Sequence, residues 1–124
     1  MVKRQCQYIF RFGDFKGKVC DLAGKQNGFC SLHNKISPQK RNIIKFLQKR
    51  VQENKTLEAF NLEGINLSKI QLKDAIMPET KLKKADIANG NLQKANLFNS
   101  DFTKANIQNI NLEKADLQHA CLKE

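Results

Sequence analysis

Three cysteines and one histidine, Cys6, Cys20, Cys30 and His33, fall within a span of 28 residues and end in a Cys30-x-x-His33 pair. Two ligands separated by two residues can close on one metal through a tight turn, and zinc accepts a tetrahedral Cys₃His set. Thirteen residues separate Cys6 from Cys20 and nine separate Cys20 from Cys30. Those loops carry Gly13, Gly17, Gly24 and Gly28, which permit sharp reversals. With all four positions filled by protein, no open position is left for water or substrate, so the expected Zn²⁺ is structural. So short a segment needs a staple in place of a core, and Tyr8, Phe10, Phe12, Phe15 and Phe29 are available to pack around one. The alternative is a set of unliganded buried cysteines with a surface histidine. The fourth cysteine, Cys121, faces outward far along the chain and has no assigned role.

Charge singles out the same region. The chain of 124 residues carries +10, from 22 Lys and Arg against 12 Asp and Glu. Residues 1–54 hold twelve basic residues against Asp14, Asp21 and Glu53, a net of +9; the remainder is nearly neutral at +1. Such an asymmetry suggests either a polyanionic or acidic partner for the N-terminal part or lysines that only keep the chain soluble. The candidate anion contacts are Lys3, Arg4, Arg11, Lys16, Lys18, Lys40, Arg41, Lys45, Lys49 and Arg50. Phosphate contacts from such residues position a protein without reading sequence.

Two elements must position these groups. Ser37-Pro38 is a good helix start, with Ser as the cap and Pro at the first helical position. A helix is expected to run to about Glu53 and to stop at Asn54. Its face Ile43, Ile44, Leu47 and Val51, with Phe46 at the edge, would seal the next element, and Arg41, Lys45 and Lys49 form an opposite stripe.

From residue 55 onward one pattern repeats every five residues. Leu57, Leu62, Leu67, Leu72, Met77, Leu82, Ile87, Leu92, Leu97, Phe102, Ile107, Leu112, Leu117 and Leu122 fill fourteen successive slots with large apolar side chains. The slot two before each is mostly small or apolar, Thr80 being an exception, and the slot between is usually Asn or Asp. A period of five fits neither a helix nor a flat strand. It fits a chain that turns a corner after each unit, four units making one coil of twenty residues. Residues twenty apart then stack, placing Lys84 near Lys104 and Lys94 near Lys114, as either an anion-binding ladder or a solvated face. The columns Asn66, Asp86, Asn106 and Gln71, Asn91, Asn111 would form side-chain ladders between coils.

The units Ala85-Asp86-Ile87, Ala95-Asn96-Leu97, Ala105-Asn106-Ile107 and Ala115-Asp116-Leu117 resemble the pentapeptide-repeat family. The resemblance implies a mainly β fold: a right-handed quadrilateral β-helix, a solenoid of about three and a half coils. The expected organisation is thus a zinc module over 1–36, a capping helix over 37–54 and the β-helix over 55–124. Residues Cys6, Tyr8, Gly13, Gly17, Cys20, Gly28, Phe29, Cys30 and His33 also look like short Cys-Cys-Cys-His elements of large DNA virus proteins, which would imply a virion or infected-cell role. Some pentapeptide-repeat proteins mimic DNA through acidic charge; the neutral repeats and basic head here depart from that pattern.

Catalysis is not expected. The sequence has no Gly-rich phosphate loop and no nucleophile elbow, and the carboxylates of the repeats alternate with Lys on an exposed surface. No apolar run reaches membrane-span length or resembles a signal peptide, so the expected location is intracellular, in a host cytoplasm or nucleus or in a virion. The expected function is a non-catalytic interaction protein, with a zinc-stapled basic head binding nucleic acid or an acidic protein and a β-helical spacer. Self-association at the C-terminal end and a purely structural assembly role are the rivals; neither a membrane nor a small-molecule substrate is expected.

Overall fold

The computed structural model describes residues 8–11, 16–18, 20–21 and 43–124. Helix α1 spans Ile43–Gln52 and buries Ile43, Leu47 and Arg50. That spacing of four and three places them on one face. Its end is a Schellman motif: Lys55 N–H donates to Arg50 O at 2.8 Å and Asn54 N–H to Val51 O at 3.0 Å, with Asn54 at φ 60°. Asn is one of the few residues that tolerates this left-handed cap, and the helix stops where the sequence placed its end. The proposed start at Ser37-Pro38 lies outside the described residues.

After α1 the chain winds in a twenty-residue register. Single residues pair in parallel at Asn61↔Lys81, Asn66↔Asp86, Gln71↔Asn91, Ile76↔Asn96 and onward to Asp101↔Cys121. Backbone hydrogen bonds hold the register, among them Leu62 N–H to Lys81 O at 2.8 Å and Lys81 N–H to Phe60 O at 2.9 Å.

The expected fold class, a mainly β quadrilateral β-helix, is corrected by these observations. Among the described residues there is no β-strand, and α1 is the one regular element. The reason is local. Each unit spends two residues in a turn closed by a bond such as Ile70 N–H to Leu67 O at 3.1 Å. The third residue of each turn has positive φ, as at Ala59, Lys69, Asp74, Glu79 and Lys84, the geometry of type II turns. One residue per unit is left to bridge to the next coil, which is too few for a strand.

The Asn and Asp residues serve these turns. Oδ1 of Asn66, Asp86, Asn91, Asn96, Asp101 and Asn106 each accepts the N–H two residues on, at 2.9–3.2 Å. These are Asx turns. The expected ladders between coils are therefore corrected: the Oδ1 atoms bind their own backbone. Inside the coils, Leu57, Leu62, Leu67, Leu72, Met77, Leu82, Ile87, Leu92 and Leu97 are buried. Thr80 fits the apolar interior because its hydroxyl donates to Met77 O at 2.6 Å. Burying a polar group at this price is tolerable only when it is so bonded.

The N-terminal residues form a small reversal: Cys20 N–H donates to Tyr8 O at 2.8 Å and Gly17 N–H to Phe10 O at 2.9 Å. Gly17 sits at φ 85°, a conformation open to glycine. Phe10 and Cys20 join the same buried cluster as Leu47 and Leu57.

Candidate functional site

Four units complete one turn, so the stack presents four sides. On the side running through 56–59, 76–79, 96–99 and 116–119, the charged residues are Glu58, Glu79 and Asp116, with no lysine. The neighbouring side runs through 61–64, 81–84, 101–104 and 121–124. It holds Lys81, Lys83, Lys84, Lys104 and Lys123, half of the ten lysines found after residue 54. Its carboxylates are Asp101 in the middle and Glu63 and Glu124 at the margins.

The N-terminal segment takes up the acidic side. The Tyr8 hydroxyl donates to Glu58 Oε1 at 2.7 Å, and Arg11 N–H donates to the same oxygen at 2.7 Å. The Arg11 guanidinium pairs with Glu79. Burial, and then the bond to Glu58, push the Tyr8 phenol well above its ordinary range. Below, α1 closes the first coil. Arg50, buried, donates to Thr56 O at 2.8 Å and to both Asp21 oxygens at 3.1 and 3.2 Å, and its guanidinium lies 5.2 Å from the centre of the Phe60 ring. Gln48 Oε1 accepts the N–H of Gln71 at 2.9 Å. Edge groups that the first coil leaves unpaired thus find partners on the helix.

The lysine side is left open. Lys81, Lys84, Lys104 and Lys123 are exposed and Lys83 is half-buried. None of the five forms an ion pair with another described residue; the pairs present join Arg11, Lys49, Arg50 and Lys55 to Asp21, Glu53 and Glu79. The central carboxylate is occupied, since Asp101 accepts both the N–H and the hydroxyl of Thr103. The Thr103 hydroxyl chiefly, with lesser help from Lys83, holds the Asp101 carboxyl below its ordinary range. The backbone beneath is fixed by Leu82 N–H to Asp101 O at 2.7 Å, Lys84 N–H to Thr103 O at 2.9 Å and Lys104 N–H to Lys123 O at 2.7 Å. Cys121 sits on this side with Sγ 3.4 Å from the Thr103 hydroxyl.

The residues expected to form the site separate into groups. Cys6, Cys30, His33, Lys3, Arg4, Lys40 and Arg41 lie outside the described residues. Cys20 is buried in the apolar cluster, and no group of three or more His, Cys, Asp or Glu able to hold a metal occurs among the described residues. The expected function, a zinc-stapled head carried on a β-helical spacer, is therefore corrected: neither part has support in the structure. Lys16 and Lys18 are exposed near the N-terminal turn, and Lys45 and Lys49 are exposed on α1, with Lys49 3.9 Å from Glu53. Arg11 is engaged with Glu79, and Arg50 is turned inward onto Asp21 and Thr56 O rather than presented to an external anion. Reading the stack by columns of twenty found Lys84 and Lys104 but passed over Lys81, Lys83 and Lys123. Folding all outward positions on the same period brings the five together.

Residues 91–124 form a pentapeptide-repeat segment, matching the family described as "Pentapeptide repeats" in 8 copies. Among solved structures, the chain is similar to the crystal structure of a pentapeptide repeat protein (Rfr23) from the cyanobacterium Cyanothece 51142, with 32% identity and a TM-score of 0.27. That match covers 54% of this chain and 56% of the other, so it spans little more than half of each. No curated protein matches. Among the described residues, no helix is long and apolar enough to cross a membrane.

Proposed function

We propose that the protein acts by binding rather than by catalysis, and that an anionic partner docks on the side carrying Lys81, Lys83, Lys84, Lys104 and Lys123. The carrying observation is the absence of ion pairs among described residues for all five lysines, beside a neighbouring side whose Glu58 and Glu79 are already engaged by Tyr8 and Arg11. The described part of the basic segment thus spends Arg11 on the acidic side, while Lys81, Lys84, Lys104 and Lys123 stay exposed. Pentapeptide-repeat proteins are generally non-catalytic, which supports binding as the activity.

A fixed backbone favours this role. Lys84 and Lys104 share one slot in adjacent coils, where backbones lie about 4.8 Å apart, so the repulsion between this pair is built in and a polyanion relieves it. The test is binding of the full chain to heparin across a range of salt concentrations. Lys84→Asn with Lys104→Asn lowers the affinity and flattens its salt dependence. Unchanged affinity removes the lysine side from the function.

A further inference from the structure

Resting on that reading, we infer that the lysine side takes the phosphate backbone of a nucleic-acid duplex, without reading its sequence. The outward residues of this side, apart from the five lysines, are Asp101, Thr103, Cys121 and the margins Glu63, Gly64 and Glu124. Its one exposed aliphatic side chain is Leu122, at the C-terminal margin; the centre of the side carries none. An acidic protein partner would need an apolar centre to its interface, and the centre of this side supplies none, Leu122 lying at its margin.

The same composition discriminates between forms of nucleic acid. Single strands are gripped by stacking their bases on aromatic side chains, and the aromatic nearest in kind, Phe102, is buried inside the coil. Base edges are read by Arg, Asn and Gln in bidentate pairs; of these types the side holds Asn61 alone, and Asn61 is buried. Lysine ammonium groups, in contrast, act as point charges toward phosphate. Closely spaced point charges on a rigid wall, with nothing to stack or read, suit the regular phosphates of a duplex.

Salt dependence gives the magnitude. If four of the five lysines each displace a counterion, log K falls with log salt at a slope of about −3.6, or roughly 10²-fold between 50 and 200 mM. Removing two contacts reduces the slope by about 1.8.

The experiment measures binding of the full chain to a mixed-sequence DNA duplex, to one of its single strands and to poly-glutamate, each at several salt concentrations. Circular dichroism of each variant confirms folding first. The expected result is duplex binding tightest of the three, indifferent to sequence, and weakened about 10-fold or more at low salt by Lys84→Asn with Lys104→Asn, with the smaller slope. Poly-glutamate bound in preference to the duplex overturns this inference but leaves the lysine side as an anionic docking surface. Preference for the single strand also overturns it. Duplex binding that the paired substitution leaves intact overturns both the inference and the reading beneath it, and assigns binding to the basic N-terminal region.

Discussion

The Tyr8 hydroxyl donates to Oε1 of Glu58 at 2.7 Å across fifty residues of sequence. Glu58 is itself buried, in the first coil, so this bond satisfies a carboxylate that has little water. Arg11 N–H shares the same oxygen. The N-terminal segment is therefore fastened to the stack by polar bonds as well as by the burial of Phe10 and Cys20. Tyr8→Phe should lower stability by about 1–3 kcal/mol, the range for a lost hydrogen bond to a charged group. Denaturant unfolding of the full chain measures it.

Alkaline titration tests the same bond. Burial and Glu58 raise the folded-state phenol pKa above the unfolded value near 10. Neutral tyrosine is thus favoured by folding, and its contribution is fully present below about pH 10 and is lost as pH rises through the folded pKa. Tyr8 is the sole tyrosine and there is no tryptophan, so tyrosinate absorbance reports this one group. Ionisation should be delayed well beyond the usual phenol range while the protein stays folded. Ionisation near pH 10 in the folded protein would show that the phenol is solvated.

Arg50 offers an acid-side counterpart. Burial raises the Asp21 carboxyl, but Arg50, with Lys55, outweighs it and holds the pKa below the ordinary carboxylate value. Asp21 therefore contributes stability above about pH 4 that is lost as pH falls through its folded pKa. Asp21→Asn should flatten the fall in stability below pH 4. Arg50→Met should cost about 1–3 kcal/mol, mainly by leaving the buried Thr56 O unpaired, because Asp21 is 44% exposed and keeps Lys55; Arg50→Lys should not rescue it, because one ammonium cannot replace the fork that reaches both. Thermal melts of the three variants decide the matter.

Glycine at one interior slot carries its own prediction. A Cβ on Gly90 would lie 3.0 Å from Ile87 O and 3.4 Å from Ile70 O. Gly90→Val should destabilise by about 1–3 kcal/mol, the usual range for overpacking. Ala85 and Ala95 occupy equivalent slots and are buried, so Gly90→Ala should be the milder change.

The residues that fix register were legible before any coordinates. Fourteen apolar slots at a period of five carried the twenty-residue stacking, because each slot points inward and a slip of one residue would expose the row. The class of the fold was not legible. A period of five is equally served by strands or by chained turns, and the positive φ at Ala59, Lys84 and Lys104 that decides for turns leaves no mark in residues so varied. The Asn and Asp column was visible but misassigned, since its spacing suits both inter-coil ladders and local Asx turns. The inward turn of Arg50 was hidden for another reason: a charged residue at i+3 from Leu47 reads as solvated until Asp21, far away in sequence, is known to meet it. The lysine side lay between these cases, needing only that every outward slot be folded on twenty.

Backbone strain supplies a control for the binding account. Lys84, Lys94, Lys104 and Lys114 all lie at φ 58–59°, where a side chain costs about 1 kcal/mol that Asn largely avoids. Replacing any of them by Asn should raise stability by up to that amount. Lys84 and Lys104 stand on the proposed binding side; Lys94 and Lys114 stand on the side running through 71–74, 91–94 and 111–114. The two pairs are matched in charge and in backbone conformation and differ in place.

The most direct measurement is therefore duplex DNA affinity at low salt for Lys84→Asn/Lys104→Asn against Lys94→Asn/Lys114→Asn. The account predicts that both variants melt higher than the parent chain, while the first binds about 10-fold or more weakly and the second stays within about 3-fold of it. Equal losses in the two pairs would mean that net charge alone attracts the duplex, and would contradict a binding surface on the lysine side.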